Sequence, residues 1–543
     1  MPTTNPNTRN KKWNSVYKNA LQLVLVGAVT GVFSGATVTL FNILAEKGEA
    51  FSRSVYAAAR SNPALLPLLF LALLLGAFLL SVAVQISAVS RGCGIPQAEG
   101  GTRGLIRFRW RRDGVITFAT CLLSIFLGLS IGAEGPSVLI GACVGDGVAS
   151  TLHRNEMIKK YQITGGACTG LAVASNAPLT GMVFAFEEAH KRFTPEVFIC
   201  AFSSVVFGTL ARSLIYSALG MDVHSAFHLY ALRELPLSTY GYVLFAGALC
   251  GGLGVAFYKS CFQSRELFQK LRSKKKHRAA FYRLVVAVLL GGIASLVSAD
   301  VMGGGHGFIE RLSTSRGGAT WITALGAPTA PNPSFLASLA LVFLLKFFIT
   351  GVNVGSGLPC GIFIPILALG ACVGGVLNGI FLKFGMERAY CDTIVMICMA
   401  SFFTSIVKAP LTAIIMVCEF TGSFAPLLPV ILAVSIGYII GDISRTDGIY
   451  EELLECYVHD NNLRERAVTE VFTLPLAFGA IAEKREVRDV LWPAGARVTE
   501  IRRGEERILP GGDTLLKGGD ILTIVCKTDE PEKCKDDLLH ILQ

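Results

Sequence analysis

Charge is scarce in this chain. Only 16% of its 543 residues are Asp, Glu, Lys or Arg, against 52% hydrophobic residues. A soluble protein of this length carries about a quarter charged residues, so a wholly soluble fold is excluded. Cysteine is not rare, at 15 residues, but no C-x-x-C pair and no Cys/His cluster occurs. That absence argues against a metal site or a disulfide scaffold, and most of these cysteines are expected to be small buried packing residues. The Gly303-Gly304-Gly305-His306-Gly307 stretch lacks the strand and spacing of a dinucleotide fingerprint and is expected to be a loop. No nucleophile constellation is visible, so neither an enzyme nor a cofactor is indicated.

Long apolar runs are what the chain has instead. Its mean hydropathy is +0.54, and several runs reach the ~20 helical residues needed to cross a hydrocarbon core of about 30 Å. The expected class is an all-α polytopic membrane protein. Its 57 glycines suit close helix packing in lipid. The first apolar run is too long for a cleaved signal peptide and reads as a retained span. Expected spans lie near 19–45, 64–90, 114–131, 160–188 and 194–219, then near 238–262, 280–299, 335–352, 364–384, 392–407, 410–421 and 425–442. The net charge of +10 does not indicate nucleic acid. Its clusters fall in short connections: Arg9, Lys11 and Lys12; Arg107, Arg109, Arg111 and Arg112; Arg272, Lys274, Lys275, Lys276 and Arg278. Basic loops beside spans mark the cytoplasmic side, where all three are expected to face.

One stretch organises the rest. Gly132-Ala133-Glu134-Gly135-Pro136 puts a carboxylate inside an apolar region where a helix must begin. Pro136 suits a first helical turn. The unpaired N–H groups of that turn and the helix dipole form an anion site, which a glutamate can itself occupy. An ionisable residue at membrane depth is a functional candidate by default. The following apolar run, Ser137 to Leu152, is short for a full crossing and favours an interrupted or tilted helix.

The stretch recurs. Gly361-Ile362-Phe363-Ile364-Pro365 and its continuation share the pattern G-x-x-x-P-x-x-x-x-G-A-C-V-G at an offset of 229 residues. Ala177-Pro178-Leu179-Thr180 recurs as Ala409-Pro410-Leu411-Thr412 at an offset of 232, and each copy leads to a glutamate, Glu187 or Glu419. Two matches in the same order indicate a duplicated unit. Paired repeats with interrupted helices are a usual build of secondary transporters. The division expected is an N-terminal tail over 1–17, repeat 1 over 18–226, repeat 2 over 238–455 and a soluble α/β module over 465–543.

With Gly92-Cys93-Gly94-Ile95-Pro96 and Tyr450 added, these motifs resemble the anion-site signatures of the CLC chloride channels and transporters. The resemblance covers residues 18–455. It implies two inverted repeats, a homodimer, one anion pathway per subunit, and a place in the inner or plasma membrane with both termini cytoplasmic. By the same resemblance Glu134 is the gating glutamate. Backbone amides near Ile362 and Phe363 hold the central anion, helped by the Tyr450 hydroxyl, and Cys93 and Gly94 also belong to the anion-binding residues. Glu188 falls where proton-coupled members keep an internal proton-transfer glutamate. Its alternative is a helix-end charge beside His190, Lys191 and Arg192, while Glu187 is expected to be structural. The function implied is a proton-coupled anion antiporter, chloride first. The rivals are a passive anion channel, a fluoride or nitrate exchanger, and a cation transporter. Two departures bear on selectivity: Cys93 stands where chloride-selective members have serine, and Ala133 replaces a frequent basic residue. A thiol is a weaker donor than a hydroxyl.

After about residue 456 charge becomes frequent. Alternating stretches such as Arg497–Ile501 and Ile521–Val525 read as strands, and residues 529–541 as a closing helix. Val498–Gly504 and Pro510–Asp520 resemble the C-terminal half of the regulatory domains of potassium channels and cation transporters (the RCK or TrkA-C type). The nucleotide-binding half is absent, so NAD or ATP is not implied. A small ligand, a dimer contact or a stabilising tail remains open for this module.

Overall fold

In the computed structural model the described residues are 6–153, 156–191, 193–221, 232–270, 276–313, 333–461, 468–493, 495–528 and 531–543. Among them, eight helices are long and apolar enough to cross a membrane. Leu66–Ile86 illustrates why they suit lipid. It buries Leu69, Leu73 and Leu80 on one side, while Leu68, Leu71 and Leu75 stay exposed on the other. An exposed leucine face is unfavourable in water and neutral in hydrocarbon. Phe363–Lys383 and Cys391–Val407 are instead buried almost all round. They pack against each other and against the neighbouring helices of the second half of the chain.

Several elements differ from the sequence expectation. The first helix runs from Pro6 to Ser61, so the tail expected over 1–17 is helical from Pro6 and the first span extends past 45. The span expected over 160–188 breaks at Asn176, which has φ +52°, and restarts at Pro178. Proline without an N–H fits a helix start and not a helix interior. The cluster residues 272, 274 and 275 lie outside the described residues, as does most of the 222–237 connection.

Close approach explains several of the glycines. A Cβ on Gly141 would lie 2.1 Å from the Gly166 carbonyl oxygen, and one on Gly166 would lie 2.1 Å from that of Gly141. Helices Glu134–Thr151 and Glu156–Ser175 therefore touch backbone to backbone, as small-residue membrane interfaces do.

The two repeats bind each other reciprocally. Glu419 accepts from the Leu179 and Thr180 amides at 2.7 Å, at the start of helix Pro178–Phe184. Glu187 accepts from the Leu411 and Thr412 amides at 2.8 and 2.6 Å, at the start of helix Pro410–Thr421. Each carboxylate thus satisfies orphan N–H groups of the other repeat.

The soluble module is a four-stranded antiparallel sheet in the order β1-β4-β2-β3. The strands are β1 (Val468–Pro475), β2 (Ala496–Arg503), β3 (Glu506–Ile508) and β4 (Ile521–Thr528). Along β4 the alternating residues Leu522, Ile524 and Cys526 are buried, the period of two that a half-buried strand requires. The closing helix Pro531–Leu542 covers that face with Leu538, Ile541 and Leu542. The Cys526 and Cys534 sulfurs are paired, which corrects for these two the expectation of isolated packing cysteines. Twelve of the other thirteen are free and buried. Asp520 accepts from Arg503 Nε and Nη2 at 2.8 Å and from the Lys517 amide at 2.9 Å, and so locks the turn before β4.

Candidate functional site

Three glycine-containing segments meet at one buried point. The Gly132 and Gly361 backbones exchange hydrogen bonds of 2.7 and 3.1 Å, and the Cys360 amide donates to the Gly92 carbonyl at 3.0 Å. Gly94 has φ +85°, a left-handed conformation that a side chain disfavours. A Cβ there would stand 2.4 Å from the Gly135 oxygen, and a Cβ on Gly135 would stand 2.1 Å from the Cys93 oxygen. Glycine is therefore required at both crossings. Helices Ile95–Thr102, Glu134–Thr151 and Phe363–Lys383 all begin here. Each leaves its first amides without an intrahelical partner.

The sequence-derived residues fall around this point. Ile362 and Phe363 are buried at the start of helix Phe363–Lys383. Tyr450 is 1% exposed, in the first turn of helix Ile449–Asp460, and its hydroxyl has no hydrogen-bond partner among the described residues. A buried hydroxyl left unpaired is costly, unless it serves a group that comes and goes. The groups that act on it electrostatically include Cys93, Glu188, Glu99 and Glu134. Cys93 is buried with its thiol against that of Cys360. Gly94 donates its amide N–H to Gln97 Oε1 at 3.0 Å. Its part in the geometry is the close approach to Gly135.

Glu134 is 2% exposed. Its Oε1 lies 3.0 Å from His306 Nε2, while Oε2 has no partner among the described residues. The glycine run before His306 is a loop, as expected, but it ends in the short helix His306–Arg311, and the role of His306 was not legible there. The loop is held by Lys346, itself fully buried, whose Nζ donates to Ser130 Oγ at 3.2 Å, the Val301 oxygen at 3.2 Å and the Gly303 oxygen at 3.0 Å. The Gly303 amide donates to Leu129 at 3.0 Å. Lysine and loop together fix the imidazole against the segment that leads into Glu134.

Glu188 lies 6% exposed in the π-helical turn Ala185–Ala189. Its charged neighbours are Glu99, Glu187, Lys191 and Arg103. Arg103 Nη2 donates to the Glu188 carbonyl at 3.2 Å. Glu99 is 1% exposed, with Oε1 unpartnered among the described residues and Oε2 3.6 Å from Arg103. Sequence reading passed over Glu99. Its signal was an acid four residues after Ile95 on a helix that starts at the site. Among the described residues no group of three or more His, Cys, Asp or Glu could hold a metal.

Fold and geometry together define a helical membrane protein of two inverted repeats whose signature helices begin at one buried point. The chain belongs to the voltage gated chloride channel family, whose model matches residues 75–442. A TrkA-C domain model matches residues 471–534. An H(+)/Cl(-) exchange transporter of Vibrio cholerae serotype O1 (strain M66-2) is 29% identical over 412 residues, 74% of this chain and 82% of its own length. Among solved structures, a slow cyanobacterial Cl-/H+ antiporter superposes with a TM-score of 0.70 at 23% identity, covering 81% of this chain and 99% of that one. A CLC-type fluoride/proton antiporter does so with a TM-score of 0.58 at 21% identity, covering 79% of this chain and 97% of that one. At these identities the two structures show the fold.

Proposed function

We propose that this protein exchanges chloride for protons across the cell membrane, as a homodimer with one pathway in each subunit and both termini in the cytoplasm. The observation that carries the reading is the buried, unpartnered Tyr450 hydroxyl, whose neighbours include Cys93 and the acids Glu134, Glu188 and Glu99. That hydroxyl, with the helix-start amides of Ile362 and Phe363, supplies partial positive charge. A full cation would bind an anion too tightly to release it. Glu134 is the gate: ionised, it competes with the anion for the pathway; protonated, it withdraws and carries a proton. Glu188, on the other side of Tyr450 in this reading, passes protons to and from the cytoplasm. The exchanger named in Vibrio cholerae supports chloride and protons as the transported species.

The test is flux through purified protein in liposomes, with chloride and pH recorded together. A chloride gradient alone should drive protons uphill. Chloride flux with no proton movement would establish the passive channel instead.

A further inference from the structure

The soluble module docks against the membrane core near Glu188. Arg485 of the module pairs with Glu196, and Met157 packs on the module's apolar core. Between the two parts lies a cavity of about 600 Å³, within the range of about 300–1,000 Å³ typical of small-molecule sites. Five of its lining residues are Lys or Arg: Arg103, Lys160 and Lys191 from the membrane core, and Arg488 and Arg497 from the module; His190 lines it too. No acidic side chain lines it among the described residues. Glu451 does contact Arg103 and Lys191, and Glu486 contacts Arg488. Glu99 also contacts Arg103, and three carboxylates against five Lys and Arg side chains still leave positive charge in excess. Trp492 adds an indole whose Nε1 is held by the Val487 carbonyl at 2.8 Å.

Such a lining selects its ligand by chemistry. Arginine forks match phosphate oxygens in geometry and charge, and a fixed indole offers a flat apolar surface for an organic portion. A single chloride would not need five cationic side chains or this volume. We propose that the cavity binds a phosphate-bearing organic anion, held jointly by the module and the membrane core. Binding there would reach the transport machinery through Arg103, whose Nε and Nη2 donate to the Ala189 and Glu188 carbonyls at 3.3 and 3.2 Å. That link rests on the reading of Glu188 given above; the binding itself does not.

The phosphate has two possible sources, a soluble nucleotide or an anionic lipid headgroup, and the experiment has an arm for each. Full-length protein in neutral detergent is titrated calorimetrically with ATP and with pyrophosphate. In parallel, chloride efflux is compared between phosphatidylcholine liposomes with and without phosphatidylglycerol. The expected result is a saturable response in at least one arm. The double variant Arg488→Ala/Arg497→Ala should weaken it by about tenfold or more, the loss of one or two charge-assisted contacts. Arg507→Ala removes an exposed charge from β3 outside the cavity and should leave the response unchanged. If the double variant does not fold, Arg497→Gln alone carries the same comparison. A response to ATP identifies a soluble ligand, and one confined to phosphatidylglycerol identifies a lipid. No saturable response to any probe, or equal weakening by Arg507→Ala, overturns the proposal.

Discussion

At the residue scale, two buried acids and one histidine carry the proposed mechanism, and they make separable predictions. Glu134→Gln cannot ionise, so it should abolish proton exchange yet leave a passive chloride flow largely independent of pH. Glu188→Gln should also lose proton coupling, while its chloride flux stays sensitive to pH through Glu134. Proton and chloride fluxes from the same liposomes distinguish the two. If Glu188→Gln keeps full coupling, Glu188 is a structural helix-end charge. His306 restrains Glu134 through one hydrogen bond of 3.0 Å; a bond to a charged group contributes ~1.5–3 kcal/mol, or about tenfold or more in population. His306→Ala should therefore change chloride turnover by roughly that factor, whereas His306→Gln, which retains a donor, should stay near the parent rate. Equal rates in all three proteins would show that the imidazole does not hold the gate.

At the element scale, the two repeats are tied by carboxylates that sit on each other's helix starts. Hydrogen bonds to a charged group contribute ~1.5–3 kcal/mol, and Glu419 accepts three, including one from Thr180 Oγ1 at 2.6 Å. Glu419→Ala should lower the unfolding temperature in detergent by several degrees and leave the coupling of chloride to protons unchanged. Glu187→Ala should behave alike, because its three partners mirror those of Glu419. A Glu187→Ala protein of unaltered stability that had lost proton coupling would instead make Glu187 a proton carrier. The repeated A-P-L-T motif and its following glutamate were legible in the sequence. That each glutamate caps the other copy was not, since partners 240 residues apart meet only in the folded chain.

At the scale of the whole molecule, the TrkA-C module adds control rather than chemistry in the reading proposed here. Every proposed pathway residue precedes it. Deleting the chain after residue 460 should change the transport rate while the ratio of chloride to protons stays the same, measured in liposomes at matched protein density. A truncated protein that remains folded but loses coupling would place part of the proton route in the module. Breaking the Arg485–Glu196 contact by Arg485→Ala should shift the rate in the same direction as the deletion, by a smaller amount.

The sequence by itself determined the class of the protein and the address of its candidate site. Scarce charge with long apolar runs requires lipid, because such helices cannot be solvated. A carboxylate between glycines at a helix start is legible because few other arrangements place that residue type at that depth. Tertiary structure decided what surrounds those residues. His306 reaches Glu134 from a loop 172 residues away, held there by the buried Lys346. Gly94 spends its amide on Gln97, and Arg103 links Glu99 to the Glu188 carbonyl. None of these follows from local pattern. Periodicity and motif report what a segment does with its own neighbours in the chain, whereas hydrogen-bond partners and buried charges are set by packing between segments far apart in sequence.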